Sequence, residues 1–445
     1  MSRSRSRLLA AGALAVGVVL AGMPVGSPAV GESESCRGVA ATIVGKPGRP
    51  IGGTNTRDVI VTNGASDVYA RGGDDLICVT NIAGPGVEDR VTISAGDGRD
   101  TIDTTATHGV GSSAYLGAGD DTYIGGSDRD WVEAADPWSE TSPAEGTDSI
   151  DTGGGPDYVL TGGTPAVPDG DSIDLGPGAD QIEVIGALAP TSWAAGTGSD
   201  LLTVARLTPR GTWVFDNAAG RASRNGSTVL SWTSFERFEL NHSRNSTVSF
   251  TGGPRAEHVR SLVALDRASL GEGNDTLEVW PERLADSPAM RIAGAGGNDL
   301  LRLGRGDNDG NVDLDLAAGT VRFVRPTQAG RTSRVTGFER THVYAMWARV
   351  LGTTGADRIG WDACHGSVSG RAGDDALIYL PIQEDSCGYM GDAATIRIYG
   401  GRGNDQLRGG FMPDVLLGGS GRDTADGRAG RDLCRVEFAQ HCERR

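Results

Sequence analysis

One arrangement of side chains in the sequence has the type and spacing for chemistry. In "GGRGNDQLRGGFMPDVLLGGSGRDTADGRAGRDLC", residues 400–434, Asp405, Asp414, Asp423 and Asp432 recur every nine residues. Gly400, Gly409, Gly418 and Gly427 stand five residues before them. A carboxylate at fixed intervals behind a glycine turn offers hard oxygen ligands. Stacked carboxylates repel one another unless a cation lies between them. Calcium accepts several carboxylate and carbonyl oxygens in flexible geometry, whereas magnesium demands a stricter octahedron and keeps its waters. Transition metals would call for His or Cys, which these turns lack. The same register recurs upstream at Asp58/Asp67, Asp121/Asp130, Asp148/Asp157, Asp171/Asp180 and Asp266/Asp275.

Catalytic constellations are harder to find. His108, His242, His258, His342, His365 and His441 are scattered, and none lies in an HExxH motif. No GxSxG nucleophile elbow occurs. Carboxylates are so common that pairing two of them for glycoside hydrolysis would be arbitrary. Glu236 and Glu339 each precede an arginine, Arg237 and Arg340, and a structural ion pair is the better reading than an acid. The expectation is a chain without a catalytic domain. The enzymatic alternative is a polysaccharide lyase or epimerase on a β-helix, which needs Asp, His, Lys or Arg clustered on one face. No such cluster is legible in the sequence.

The elements that must carry the aspartates follow from the repeated text. "LGAGDDTYI", "TGGGPDYVL", "LGPGADQIE", "LGEGNDTLE" and "GAGGNDLLR" share glycine, spacer, glycine, any residue, aspartate, then an aliphatic. Single copies occur at "ARGGDDLIC", "SAGDGRDTI", "AAGTGSDLL", "LGTTGADRI" and "GRAGDDALI". Glycines permit the positive φ and close backbone approach of a tight turn. The three residues after each aspartate place one aliphatic between two outward residues, which is strand alternation. Two units then complete one coil, and turns 18 residues apart stack, Asp405 over Asp423 and Asp414 over Asp432. The chain is expected to be all-β.

These units resemble the GGxGxDxUx nonapeptide of the RTX, or haemolysin-type, calcium-binding repeat proteins that bacteria secrete. The resemblance covers about residues 53–202, 265–302 and 352–434. It implies a parallel β-roll or β-helix solenoid of calcium-binding glycine–aspartate turns. Calcium would be held by Asp405, Asp414, Asp423 and Asp432, with Gly401, Gly403, Gly419 and Gly421 among the carbonyl donors. Asp121, Asp130, Asp148, Asp157, Asp171, Asp180, Asp266 and Asp275 would serve likewise in the other runs. The pattern departs at Met412-Pro413, at Ala425 and at Asn308, which stands where an aspartate is expected.

Six further regions follow a leader. Residues 1–29 read as a signal peptide, with "MSRSRSR", the apolar "LLAAGALAVGVVLAG" and a small-residue end at Ala29. A repeat region spans 36–202, a first non-repeat β module 203–264, a short repeat run 265–302, a second module 303–351, and C-terminal repeats 352–434. A disulfide-capped tail, 435–445, closes the chain. The two modules share an Asp-x-Ala-Ala-Gly turn and a Phe-Glu-Arg, and they read as a duplication whose strands continue the solenoid.

Cys36, Cys78, Cys364, Cys387, Cys434 and Cys442 form an even set in an exported chain, and pairing of neighbours, 36–78, 364–387 and 434–442, is the simplest arrangement. The formal charge of −17 becomes −20 once Arg3, Arg5 and Arg7 leave with the leader, which disfavours a nucleic-acid partner. No segment after the leader is apolar enough to cross a bilayer. The reading is a secreted, calcium-binding, structural or adhesive protein, with extracellular or cell-surface polysaccharide as a possible partner.

Overall fold

The computed structural model describes residues 34–80, 90–134, 146–207, 210–241, 246–262, 265–280, 289–304, 311–324, 331–381, 387 and 395–443. The leader and Asn308 lie outside them. The described residues form β-strands and turns with no helix. Most strands pair in parallel with the strand one coil earlier and one coil later, so the chain winds between two long ladders. The ladder through Gly111–Ala118, Tyr158–Thr161 and Gln406–Arg408 is called the front face, and that through Thr122–Ile124, Ser149–Asp151 and Val415–Ser420 the back face.

One inward residue per rung builds the core. On the back face Ile60, Ile77, Ile102, Tyr123, Ile150 and Ile173 are successive partners; on the front face Val132, Val159, Ile182 and Leu202 are. All are buried. Burying such a side chain contributes about 1.5–3 kcal/mol, and a single unit cannot bury it alone. Stacking therefore supplies the core. In the C-terminal run the register is the 18-residue coil that the spacing implies, Gln406 facing Thr424 and Val415 facing Leu433. Upstream, one half-coil keeps nine residues, as from Asp148 to Asp157, and the other absorbs insertions, as from Asp157 to Asp171. Register survives because the insertion leaves the sheet at a corner.

The two modules do continue the stack, but not as parallel coils alone. In each, three antiparallel strands enter the back face: Thr212–Asp216, Arg221–Arg224 and Ser227–Thr233, then Asn311–Asp315, Thr320–Val324 and Thr332–Thr336. Both outer strands rejoin parallel neighbours, as Thr191–Ala194 with Ser227–Thr233 and Thr212–Asp216 with Thr247–Thr251. The shared turn works identically in both copies: Asp216 Oδ1 accepts the Ala219 N–H (3.1 Å) and Asp315 Oδ1 the Ala318 N–H (3.0 Å). Gly220 and Gly319 follow at φ 59° and 63°, a conformation that favours glycine.

Three disulfides join neighbouring cysteines, Cys36–Cys78, Cys364–Cys387 and Cys434–Cys442, with Cα atoms 5.4, 5.5 and 5.9 Å apart. Three disulfides point to an oxidising, extracellular setting. The last joins the final two rungs, at the open end of the stack. Among the described residues no helix is long and apolar enough to cross a membrane.

Candidate functional site

The aspartates occupy the two corners between the faces, and they point inward. Asp405 and Asp423 are fully buried. In each, one oxygen belongs to a ladder of backbone hydrogen bonds running along the stack. At the corner leading to the front face, the Asp375 N–H donates to Asp405 Oδ1 (2.9 Å) and the Asp405 N–H to Asp423 Oδ1 (3.0 Å). At the opposite corner the Asp414 N–H donates to Asp432 Oδ1 (2.8 Å). The N-terminal repeats do the same in two files. Asp121 donates to Asp148 (2.8 Å) and Asp148 to Asp171 (2.7 Å); Asp130 donates to Asp157 (2.8 Å) and Asp157 to Asp180 (2.7 Å).

The other oxygen is the unusual one. Oδ2 of Asp121, Asp130, Asp157, Asp180, Asp275, Asp405, Asp423 and Asp432 is buried and accepts no hydrogen bond. A buried carboxylate oxygen without a partner costs more than an ordinary hydrogen bond returns. For Asp130, Asp405, Asp423 and Asp432 this oxygen lies where a Cβ would sit on the glycine five residues earlier, whereas Leu116, Thr152, Leu175 and Leu270 stand at that position before Asp121, Asp157, Asp180 and Asp275. At Gly400 that space is bounded by Asp405 Oδ2 and the Gly418 carbonyl, and at Gly427 by Asp432 Oδ2 and the His441 carbonyl. Two acceptors thus face one small cradle, and a proton, a water molecule or a cation would satisfy both. At Gly400 and Gly427 a side chain would fill the cradle.

The electrostatics agree. Burial, reinforced by the neighbouring carboxylates, raises Asp130 and Asp432 to about 7 from the ordinary 3.8. Asp121 and Asp275 also reach about 7, and Asp157, Asp180 and Asp414 about 6. Asp148 and Asp171 are raised by the same burial and by Asp169, which crowds both. Backbone N–H donors oppose these shifts without cancelling them.

The corners are closed differently where a run begins. Asp414 Oδ2 accepts the Gly410 N–H (2.7 Å), Asp58 Oδ2 that of Thr54 (2.7 Å) and Asp357 Oδ2 that of Thr353 (2.6 Å). Asp414 is therefore brought into the file but carries no orphaned oxygen. Asp266 is not brought in at all: it is the extra residue of a bulge between Leu265 and Arg267, half exposed beside the Arg267 guanidinium (3.8 Å). Gly401, Gly403, Gly419 and Gly421 have positive φ and stack one coil apart, but the carbonyls beside the free carboxylate oxygens of Asp405 and Asp432 are those of Gly418 and His441.

The sequence reading passed over several members of the files. Asp75, Asp100, Asp200, Asp299 and Asp375 also have an orphaned Oδ2; all but Asp299, which lies in "GAGGNDLLR", sit in a single-copy motif. Glutamates take aspartate's place where the modules interrupt the repeat. Glu236 accepts the Asp200 N–H (3.1 Å), Glu339 that of Asp299 (2.8 Å), and Glu437 that of Asp423 (2.8 Å). The expected pairing of Glu236 with Arg237 is replaced by Arg255 at 3.9 Å, and the Arg340 guanidinium donates to the Asn298 carbonyl (2.8 Å). Glu236 and Glu339 both stand in the shared Phe-Glu-Arg, which was the available signal.

Among the described residues no three His, Cys, Asp or Glu side chains converge as a metal cluster. A cation in these corners would be held by one carboxylate per turn together with main-chain carbonyls. No protein-family profile matches the chain, and no curated protein is significantly similar to it.

Proposed function

We propose that this is an exported calcium-binding repeat protein of the haemolysin type, whose stack of coils is completed by calcium outside the cell and serves a structural or adhesive role. The observation that carries the reading is the row of buried carboxylate oxygens without hydrogen-bond partners, those of Asp130, Asp299, Asp405 and Asp432 facing a carbonyl across a cradle that Gly125, Gly294, Gly400 and Gly427 leave open. Asp405, Asp423 and Asp432 with the Gly418 and His441 carbonyls would hold the ion in the C-terminal run, and Asp121, Asp130, Asp157, Asp180 and Asp275 in the others. Calcium would supply the charge that stacked carboxylates lack. An all-oxygen, flexible corner suits it better than magnesium.

Binding that requires stacked turns is coupled to folding, since the unfolded chain has no such cradle. In a low-calcium cytosol the acidic turns would repel and keep the chain open for export. At extracellular calcium, around millimolar, sites with affinities of ~10⁻⁴–10⁻³ M would fill. The test is circular dichroism of the disulfide-intact mature chain, titrated with calcium and then magnesium. A β signal that appears or sharpens with calcium alone supports the proposal. A chain fully folded in chelator and indifferent to calcium makes the aspartates turn formers only.

A further inference from the structure

Six consecutive rungs of the front face, from Arg237–Leu240 to the first half of Arg358–Ala372, carry a charge opposite to that of the chain. Their outward residues include Arg237, Arg260, Arg302, Arg340 and Arg358 against Glu239, Glu278 and Asp362, net +2 with histidines neutral, in a chain of formal charge −17. The sequence hides this patch because each rung contributes only one or two of its members.

Its centre is Glu278, which meets Arg302 at 2.5 Å, His258 at 3.3 Å and Arg260 at 3.9 Å. Arg260 also reaches Glu239 (3.3 Å), and its guanidinium lies 4.5 Å from the Trp280 ring centroid. The Nε–H groups of Arg260, Arg302 and Arg340 are buried without a hydrogen-bond acceptor, while the Arg260 and Arg302 side chains remain 37% and 41% exposed. Arg237 and Arg358 are exposed and form no ion pair with described residues. On the next rung the Tyr344 hydroxyl donates to His342 Nδ1 (2.6 Å), and His342 Nε2–H donates to the Leu380 carbonyl (3.0 Å).

We propose that this stretch of the front face binds an acidic polysaccharide, its carboxylate or sulfate groups paired with guanidinium groups on successive rungs. The rungs are about 4.8 Å apart, close to the length of one sugar residue, so a glycan lying along the stack meets an arginine on five of the six rungs, the rung of Glu278 being the exception. Arginine suits planar anions through its paired donors. Trp280 and Tyr344 offer rings for the apolar face of a sugar. Glu239, beside Arg260, accepts from sugar hydroxyls, and together with the buried Glu278 it would repel the dense phosphates of a nucleic acid. The arrangement favours binding over proton transfer. Glu278 is half-desolvated, yet His258 and Arg302 hold it down at about 2, and burial keeps His342 neutral, down at about 4, with both ring nitrogens engaged. The inference extends the adhesive part of the proposed function and does not depend on calcium.

The test is affinity electrophoresis of the full disulfide-bonded chain through polygalacturonate, dextran sulfate, neutral dextran or duplex DNA. Retardation by polygalacturonate or dextran sulfate is expected, and which one retards more distinguishes carboxylate from sulfate recognition. Added salt should weaken the retardation. Arg237→Gln/Arg358→Gln, two arginines without structural partners, should weaken it by about fivefold or more at unchanged melting temperature. The control Arg49→Gln/Arg397→Gln, away from the patch, should leave it unchanged. No retardation by either polyanion, an equal loss in the control, or DNA held as tightly as the glycans would overturn the proposal. Circular dichroism of each sample confirms that the same fold is being tested, so a failure of the calcium reading leaves this result interpretable.

Discussion

In chelator, the stability of the disulfide-intact protein should fall as pH rises from about 4 to about 7. The folded-state carboxyls titrate high, Asp375 at about 6 and Asp432 at about 7, while an unfolded aspartate titrates near the ordinary 3.8. Between those values the folded chain binds more protons than the unfolded one, so stability decreases with pH across that window. Below about 4 the term is fully present as stabilisation; above about 7 it is lost. For Asp375 the full shift is worth about 3 kcal/mol. Water reaching the corner reduces the working figure to about 1–2 kcal/mol. Three such corners in one run would amount to about 3–6 kcal/mol, a large part of the ~5–15 kcal/mol that holds a domain together. Calcium competes with protons for the same oxygens, so its stabilisation should be larger at pH 8 than at pH 5. The assay is thermal or urea unfolding followed by circular dichroism at both pH values, in chelator and then in calcium. If the chelated protein is as stable at pH 8 as at pH 5, or more so, the backbone N–H donors alone stabilise the carboxylates. The argument from orphaned oxygens would then be refuted.

Other consequences are open to simpler measurements. Gly400→Ala should cost about 1–3 kcal/mol, because the new Cβ would collide with Asp405 Oδ2 and the Gly418 carbonyl; urea midpoints at millimolar calcium read it. Replacing Cys36 and Cys78 with serine removes a link across 42 residues and should lower stability by about 4 kcal/mol. The first signs should be proteolysis at the N-terminal coils. Glu236→Asp should destabilise about as much as Glu236→Ala, about 1–2 kcal/mol, since a shorter side chain cannot span the step to the Asp200 N–H. Full rescue by aspartate would show that reach is not the reason glutamate stands there. Trp232→Phe deletes the indole donor to Asn217 Oδ1 (2.8 Å) and should cost about 1 kcal/mol, measured by thermal melts.

Much of the fold was legible because the repeat is local. A glycine turn, an aspartate and one inward aliphatic are contained in nine residues, and their recurrence implies stacking without knowledge of any distant contact. The disulfide pairs were legible for the same reason, since each closes a nearby segment. The inserted antiparallel strands were not. "GTVRFVRP" alternates in either kind of pairing, and only the partners Val321 and Phe323 find across the meander, Leu314 and Val312, decide its direction. Asp266 misled because its spacing from Asp275 is right, while a bulge, invisible in spacing, takes it out of the turn.

By itself the sequence determined the unit of construction: turn, short strand, and a carboxyl at each corner, because glycine and aspartate act within a few residues of themselves. Tertiary structure decided what each carboxyl faces. It separated Asp405, whose second oxygen is orphaned, from Asp414, whose second oxygen is satisfied by Gly410, although the two look alike in the text. It also assembled Arg237, Arg260, Arg302, Arg340 and Arg358 on one face from positions spread over more than a hundred residues. The physical reason is the same in both cases. A solenoid brings together residues one coil apart, and the coil length, varied by insertions at the corners, cannot be read from any single repeat.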